Sequence, residues 1–168
     1  MGKPSIRIIQ IDADFFGVQI DFFSNSLAKV SKQRKGGGFC RDTKSWKFRE
    51  KWKASVLEKL ALWFNYSPGC EFKTFQIHVN RSQFTPNEDA NSIMFDGLGM
   101  TWGRKNPRVG MGLKLVAGEL KAMQSKGKGK SYWRYSPCIP AGTIFEIVLP
   151  AKYEEEQTPN WNITKETK

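Results

Sequence analysis

Residues 96–115 read DGLGMTWGRKNPRVGMGLKL and residues 137–150 read PCIPAGTIFEIVLP, and the join between these two runs decides the fold. The first places Gly97, Gly99, Gly103, Gly110 and Gly112 around Arg104, Lys105 and Arg108, so backbone can approach a ligand where positive charge is dense. The second is a Pro140-Ala141-Gly142 turn that launches a strand over residues 143–149, apolar on both faces as in a strand covered on both sides. A glycine-rich basic loop is thereby tied to a core strand, and the upstream chain reads as the sheet and helix that support it.

A length of 168 residues predicts one α+β domain over residues 1–150, followed by a polar, acidic, loosely ordered tail over 151–168 that carries Glu154-Glu155-Glu156. The formal net charge is +11, and its distribution is uneven. Residues 24–53 hold ten Lys/Arg against Asp42 and Glu50, and residues 96–134 hold nine against Asp96 and Glu119, together nineteen of twenty-seven. Charge gathered in two windows fits a phosphate-binding surface better than uniform solubilisation. Cys40, Cys70 and Cys138 are odd in number and widely spaced, which argues against a zinc site or disulfide framework and for a reducing, cytoplasmic setting. No apolar run approaches a membrane span, and nothing in the pattern calls for a metal, another cofactor or a membrane partner.

Residues 5–13 alternate as a strand. From Phe16 the apolar parity shifts by one, which predicts a bulge or bend at Gly17. Residues 24–44 read as a basic Ser/Gly-rich loop with at most one helical turn near Leu27, serving either as a plain linker or as an arm. In the arm reading, Lys32, Arg34, Lys35 and Arg41 follow a sugar-phosphate backbone while Phe39 stacks on a base. Phe48, Trp52, Val56, Leu60 and Trp63 or Phe64 recur at helical spacing, with Asp42 or Ser45 as cap and a Ser-Pro-Gly turn as stop. Residues 71–79 return to period two, with Phe75, Ile77 and Val79 inward, and residues 92–95 are a short strand. Residues 113–123 fit either a strand and turn or a helix interrupted by Gly118.

KGKGK at 126–130 runs into YWRY at 132–135. Lys126, Lys128, Lys130 and Arg134 interleaved with Tyr132 suit a single strand, because cations hold phosphates while rings stack on exposed bases. The element order predicts a ferredoxin-like or RNA-recognition-type antiparallel sheet with one main helix and long basic loops.

Two resemblances follow from short motifs. IPAGTIFEIVLP at 139–150 resembles the P-x-G-[ST]-x-F strand opening of the RAMP superfamily of CRISPR effector subunits, and GLGMTWGRKNPRVGMG at 97–112 is similar to that superfamily's glycine-rich loop. In many members this loop follows the strand, whereas here it precedes it. The resemblance implies a non-catalytic RNA-binding subunit of a CRISPR-type ribonucleoprotein, with single-stranded guide or target RNA and other protein subunits as partners. Separately, IIQIDADFF at 8–16 looks like the D-x-D-x-F strand of Y-family polymerase palms, which implies metal-dependent chemistry at Asp12 and Asp14. That family needs a further S-x-D-E cluster, which this sequence lacks. The residues that catalysis could use are therefore Asp12, Asp14 and the only histidine, His78, the last without an evident orienting partner. A small metal-dependent nuclease and a phage-type general single-strand binder are the alternatives.

Overall fold

Period-two alternation forms Ile6–Gln10 (β1) and Phe15–Ile20 (β2), which pair antiparallel with Ile6 opposite Ile20 and Gln10 opposite Phe16. The predicted bulge at Gly17 is absent. Parity changes because the chain reverses at residues 11–14, where Asp12 Oδ1 accepts the N–H groups of Asp14 and Phe15 at 2.8 and 2.9 Å. Gly17 stays in regular register between Ile9 and Lys47, and a Cβ there would lie 2.3 Å from Ser45 Oγ. The computed structural model describes residues 3–33, 37–84, 94–95, 98–103, 105–126 and 133–166.

The predicted loop after β2 contains a nine-residue helix, Asn25–Gln33 (α1). Ser24 Oγ accepts the Leu27 N–H at 3.3 Å at its start, and Leu27, Ala28 and Ser31 form the buried stripe. Composition hides this helix because Ser31 takes a core position through hydrogen bonds. Its Oγ accepts the Gly38 N–H at 2.8 Å and donates to the Lys47 carbonyl at 3.4 Å, joining α1 to Gly38–Cys40 (β3) and Ser45–Arg49 (β4).

Phe48 belongs to β4, so the helical stripe starts later than its spacing predicts. A 3-10 turn, Glu50–Trp52, leads into Lys53–Phe64 (α2), which buries Val56, Leu60 and Phe64. Neither Asp42 nor Ser45 caps α2, whose N-cap is Trp52 with no side-chain capping bond, and Trp52 and Trp63 are half-buried. The helix stops at Asn65 in the left-handed region (φ 53°), whose N–H bonds back to Ala61. Among the described residues two α-helices thus stand where one main helix is predicted.

These elements belong to one compact unit, Met1–Thr74 with Val148–Glu154, built on a sheet of order β1-β2-β4-β3. Its buried face carries Phe16 and Phe48, stacked at 5.6 Å, with Val18 and Ile20, and Phe22 meets Phe64 edge-on at 5.4 Å. The opposite face carries Arg7, Phe15, Gln19, Lys47 and Arg49.

The second unit, Phe75–Ile147 with Glu155–Lys168, holds the remaining strands, except that the last residues of Ile144–Pro150 belong to the first unit. They are Phe72–Val79 (β5, entering from the first unit), Gln83–Phe84 (β6), Met94–Phe95 (β7), Leu98–Gly99 (β8), Thr101–Trp102 (β9) and Arg108–Val109 (β10). Leu113–Ala117 (β11), Lys121–Lys126 (β12), Trp133–Ile139 (β13), Ile144–Pro150 (β14), Glu156–Gln157 (β15) and Trp161–Lys165 (β16) follow. The main sheet has the order β11-β14-β5-β16-β15. Phe75, Ile77 and Val79 are buried as alternation predicts. Residues 113–123 resolve as strand, turn and strand, with Gly118 at φ 87° and its α-carbon packed so closely on Thr143 that a Cβ would meet backbone at 2.8 Å. β14 alternates, with Phe145, Ile147 and Leu149 buried and Ile144, Glu146 and Val148 half-buried.

The segment after Pro150, polar enough to read as a loose tail, supplies β15 and β16. Ile163 sits fully buried opposite Ile77, and the acidic run is tied down where Glu155 accepts the Lys165 N–H at 3.0 Å. The protein is an α+β fold of mostly antiparallel sheets. Among the described residues, no helix is long and apolar enough to cross a membrane.

Because Ile163 fills a core position, Ile163→Ala should destabilise the protein by about 2–5 kcal/mol in denaturant unfolding. A change below about 0.5 kcal/mol, as for a surface site, would show that β16 contributes little to the core.

Candidate nucleic-acid interface

In the second unit, β9 and β10 form a short hairpin in which Trp102 lies directly opposite Arg108 and Thr101 opposite Val109. Cross-strand partners share a face, so both side chains leave the hairpin on the same side. Both are exposed, Trp102 by 58%. Leu98, Met100 and Thr101, which lead into Trp102, are all buried. Glycine makes the geometry possible. The Gly110 N–H donates to Met100 O at 2.8 Å, and a Cβ on Gly110 would lie 1.9 Å from Gly99 O, closer than any side chain permits. Gly103 turns the chain at φ 94°.

Lys105, exposed in the connecting turn, holds its Nζ 5.4 Å from the centroid of the half-buried Tyr135 ring on β13. Of the three cations picked out by charge density in this loop, Lys105 and Arg108 therefore sit on one hairpin beside aromatics, and Arg104 lies outside the described residues. Sequence reasoning missed Trp102. Period two would place it inward with Met100, so its exposure is legible only from the structure, where it pairs with Arg108. Lys128, Lys130 and Tyr132 lie outside the described residues. The backbones of Lys126 and Arg134 fall at the end of the β12–β13 hairpin, opposite Trp133 and Ser125 respectively.

In the first unit, Phe39 is 54% exposed on β3 and meets Trp46 edge-on at 5.1 Å. Lys32 is exposed in the last turn of α1 and Arg41 is exposed between β3 and β4, while Arg34 and Lys35 lie outside the described residues. Phe39 is thus carried by a hairpin rather than by a free arm. The open face of the same sheet adds residues that the sequence counted as charge without singling out. Lys47 Nζ lies 4.4 Å and the Arg49 guanidinium 5.9 Å from the centroid of Phe15, cation–π distances on a sheet surface.

Of the residues considered for catalysis, Asp12 and Asp14 are neighbours in one turn of the first unit and His78 belongs to the second. Asp12 closes the β1–β2 turn with its carboxylate, Asp14 is exposed beside it, and its carbonyl accepts the Glu50 N–H at 2.8 Å. His78 is half-buried on β5, with Nε2 3.1 Å from Gln76 Oε1. Among the described residues, no group of three or more His, Cys, Asp or Glu could hold a metal ion.

Cys40, next to Phe39, has its thiol pKa lowered, first by a hydrogen bond from the Thr43 side chain and then by the Thr43 backbone, both of which favour the thiolate. Removing the side-chain donor in Thr43→Val should raise that pKa. Alkylation of Cys40 by iodoacetamide should then slow at neutral pH, with the rate profile displaced to higher pH. An unmoved profile would exclude the Thr43 hydroxyl as the cause.

Comparisons of the chain with protein-family models, with curated proteins and with solved structures found no match.

Proposed function

We propose that the protein is a non-catalytic, cytoplasmic RNA-binding subunit of a CRISPR-type ribonucleoprotein that grips single-stranded RNA with glycine-built basic hairpins and aromatic rings. The observation that carries this reading is the exposed Trp102 beside Arg108, on a hairpin whose turn also presents Lys105. A flat ring next to fixed cations matches a strand whose bases are unstacked and whose phosphates are evenly spaced, each stacked base contributing about 1–3 kcal/mol. Duplex offers no free base face to the indole.

Supporting the RAMP-type placement is the strand opening at Pro140-Ala141-Gly142. Gly142 adopts φ 89°, and the buried Thr143 donates its hydroxyl to Pro140 O at 2.7 Å, so each residue of the P-x-G-[ST] pattern has a part in the turn. The ferredoxin-like or RNA-recognition-type description belongs to the same proposal. Its support is architectural, an antiparallel four-stranded sheet with a buried face and a cationic face that carries Phe15. The order β1-β2-β4-β3 runs hairpin, helix, hairpin, helix rather than through the βαββαβ connections of that type.

Trp102→Ala should weaken binding to single-stranded RNA by about 1–3 kcal/mol and to duplex far less. Lys105→Ala with Arg108→Ala should lower affinity across all sequences and reduce the slope of log K against log salt by about 0.7 per lost contact. Unchanged affinity and slope in both variants would remove the hairpin from the interface. Purification from the native source separates the complex from its rival, since a ribonucleoprotein subunit brings down one RNA species with protein partners, and a phage-type general binder brings down mixed nucleic acid.

A further inference from the structure

Ala13, Asp14, Phe15, Arg49, Glu50 and Lys51 line an open pocket of about 330 Å³ in the first unit, at the low end of small-molecule sites. Its two walls are the β1–β2 turn and the exit of β4. They are joined by the Glu50 N–H bond to Asp14 O at 2.8 Å and by the pairing of Phe15 with Arg49. The rim is therefore held by backbone, and the side chains supply the chemistry.

That chemistry is mixed. Arg49 and Lys51 are cationic, Phe15 is an aromatic wall, and Asp14 and Glu50 are carboxylates. Glu50 is engaged, receiving Gln10 Nε2 at 3.0 Å and Lys53 Nζ at 3.4 Å, while Asp14 is exposed. A track for bare phosphates would exclude the acids, since like charge at contact distance repels. A divalent cation would meet two fixed positive charges and, among the described residues, no cluster of three ligands. What fits is a ligand with an anionic end, a flat ring and hydrogen-bond donors at the far end, which is a nucleotide. Among the bases, guanine offers two parallel donors, N1–H and the N2 amine, to the two oxygens of one carboxylate. Adenine sets a ring-nitrogen acceptor beside its amine, which would face the second oxygen.

We propose that this pocket binds one unpaired guanine nucleotide, with its base against Phe15 and Asp14 and its phosphate toward Arg49 and Lys51. The proposal rests on the nucleic-acid reading only for the source of the nucleotide, and it names a second site, independent of the Trp102 hairpin.

The test is calorimetric titration of the whole chain with guanosine monophosphate, adenosine monophosphate and inorganic phosphate. Guanosine monophosphate should bind at least about tenfold tighter than the adenine nucleotide, because a carboxylate facing an acceptor is left unpaired. Asp14→Asn, which keeps the side-chain volume on an exposed turn, should abolish that preference. Lys51→Ala should weaken both nucleotides without changing their ratio. Equal affinity for the two nucleotides, phosphate binding as tightly as guanosine monophosphate, no binding of any of the three, or an Asp14→Asn variant that retains the preference would each overturn the proposal. Trp102→Ala should leave this titration unchanged. Loss of RNA binding in that variant with guanosine monophosphate still bound supports both sites. RNA binding that is indifferent to Trp102 while the nucleotide still binds sinks only the hairpin reading.

Discussion

Phe16 and Phe48, paired in register on β2 and β4 and stacked at 5.6 Å, fix the parity of the first unit's sheet. Side chains alternate with period two, so committing these rings to the buried face commits their neighbours Phe15, Lys47 and Arg49 to the other. A slip of β4 by one residue would turn Lys47 and Arg49 inward and Phe48 outward. The cationic face is thus a by-product of core packing. Gly17 belongs to the same constraint, because its missing Cβ lets Ser45 and Ile9 close over the strand pair.

The second unit solves a different problem. Its candidate interface is raised on two-residue strands too short to be stable by ladder bonds alone, and close backbone contact does the work that length does elsewhere. Gly110 passes over Gly99 at a distance only hydrogen allows, and Leu98, Met100 and Thr101 are buried while Trp102 is exposed. Stiffness matters for a stacking surface, since a ring already held in place loses less entropy when a base lands on it.

Legibility in the sequence followed the range of the forces involved. The alternation of β5 and the arrest of α2 at Asn65 are local patterns, and both could be read directly. The helix α1 escaped because Ser31 fills an apolar position with two hydrogen bonds to β3 and β4, partners that composition does not reveal. The strand β16 escaped because acidic neighbours masked Ile163, whose partner Ile77 is distant in the chain. For the candidate interface, charge density singled out Lys105 and Arg108, and the structure places both on one hairpin. Trp102, Phe15, Lys47 and Arg49 required strand register, which is a property of pairs of segments rather than of any one of them.

The sheet order β14-β5-β16 carries a kinetic implication. β5 is the middle strand of three, yet both neighbours follow it at long range, and its Ile77 meets Ile163 half the chain away. Until those partners arrive, β5 presents two unpaired edges and the alternating apolar row Phe75, Ile77, Val79, the profile of a strand that recruits other chains. Folding dominated by such distant pairings is slow. The growing polypeptide therefore passes through a sticky interval, and expression at low temperature or with a holdase chaperone should raise the recovered fraction more than any change to its highly charged surface.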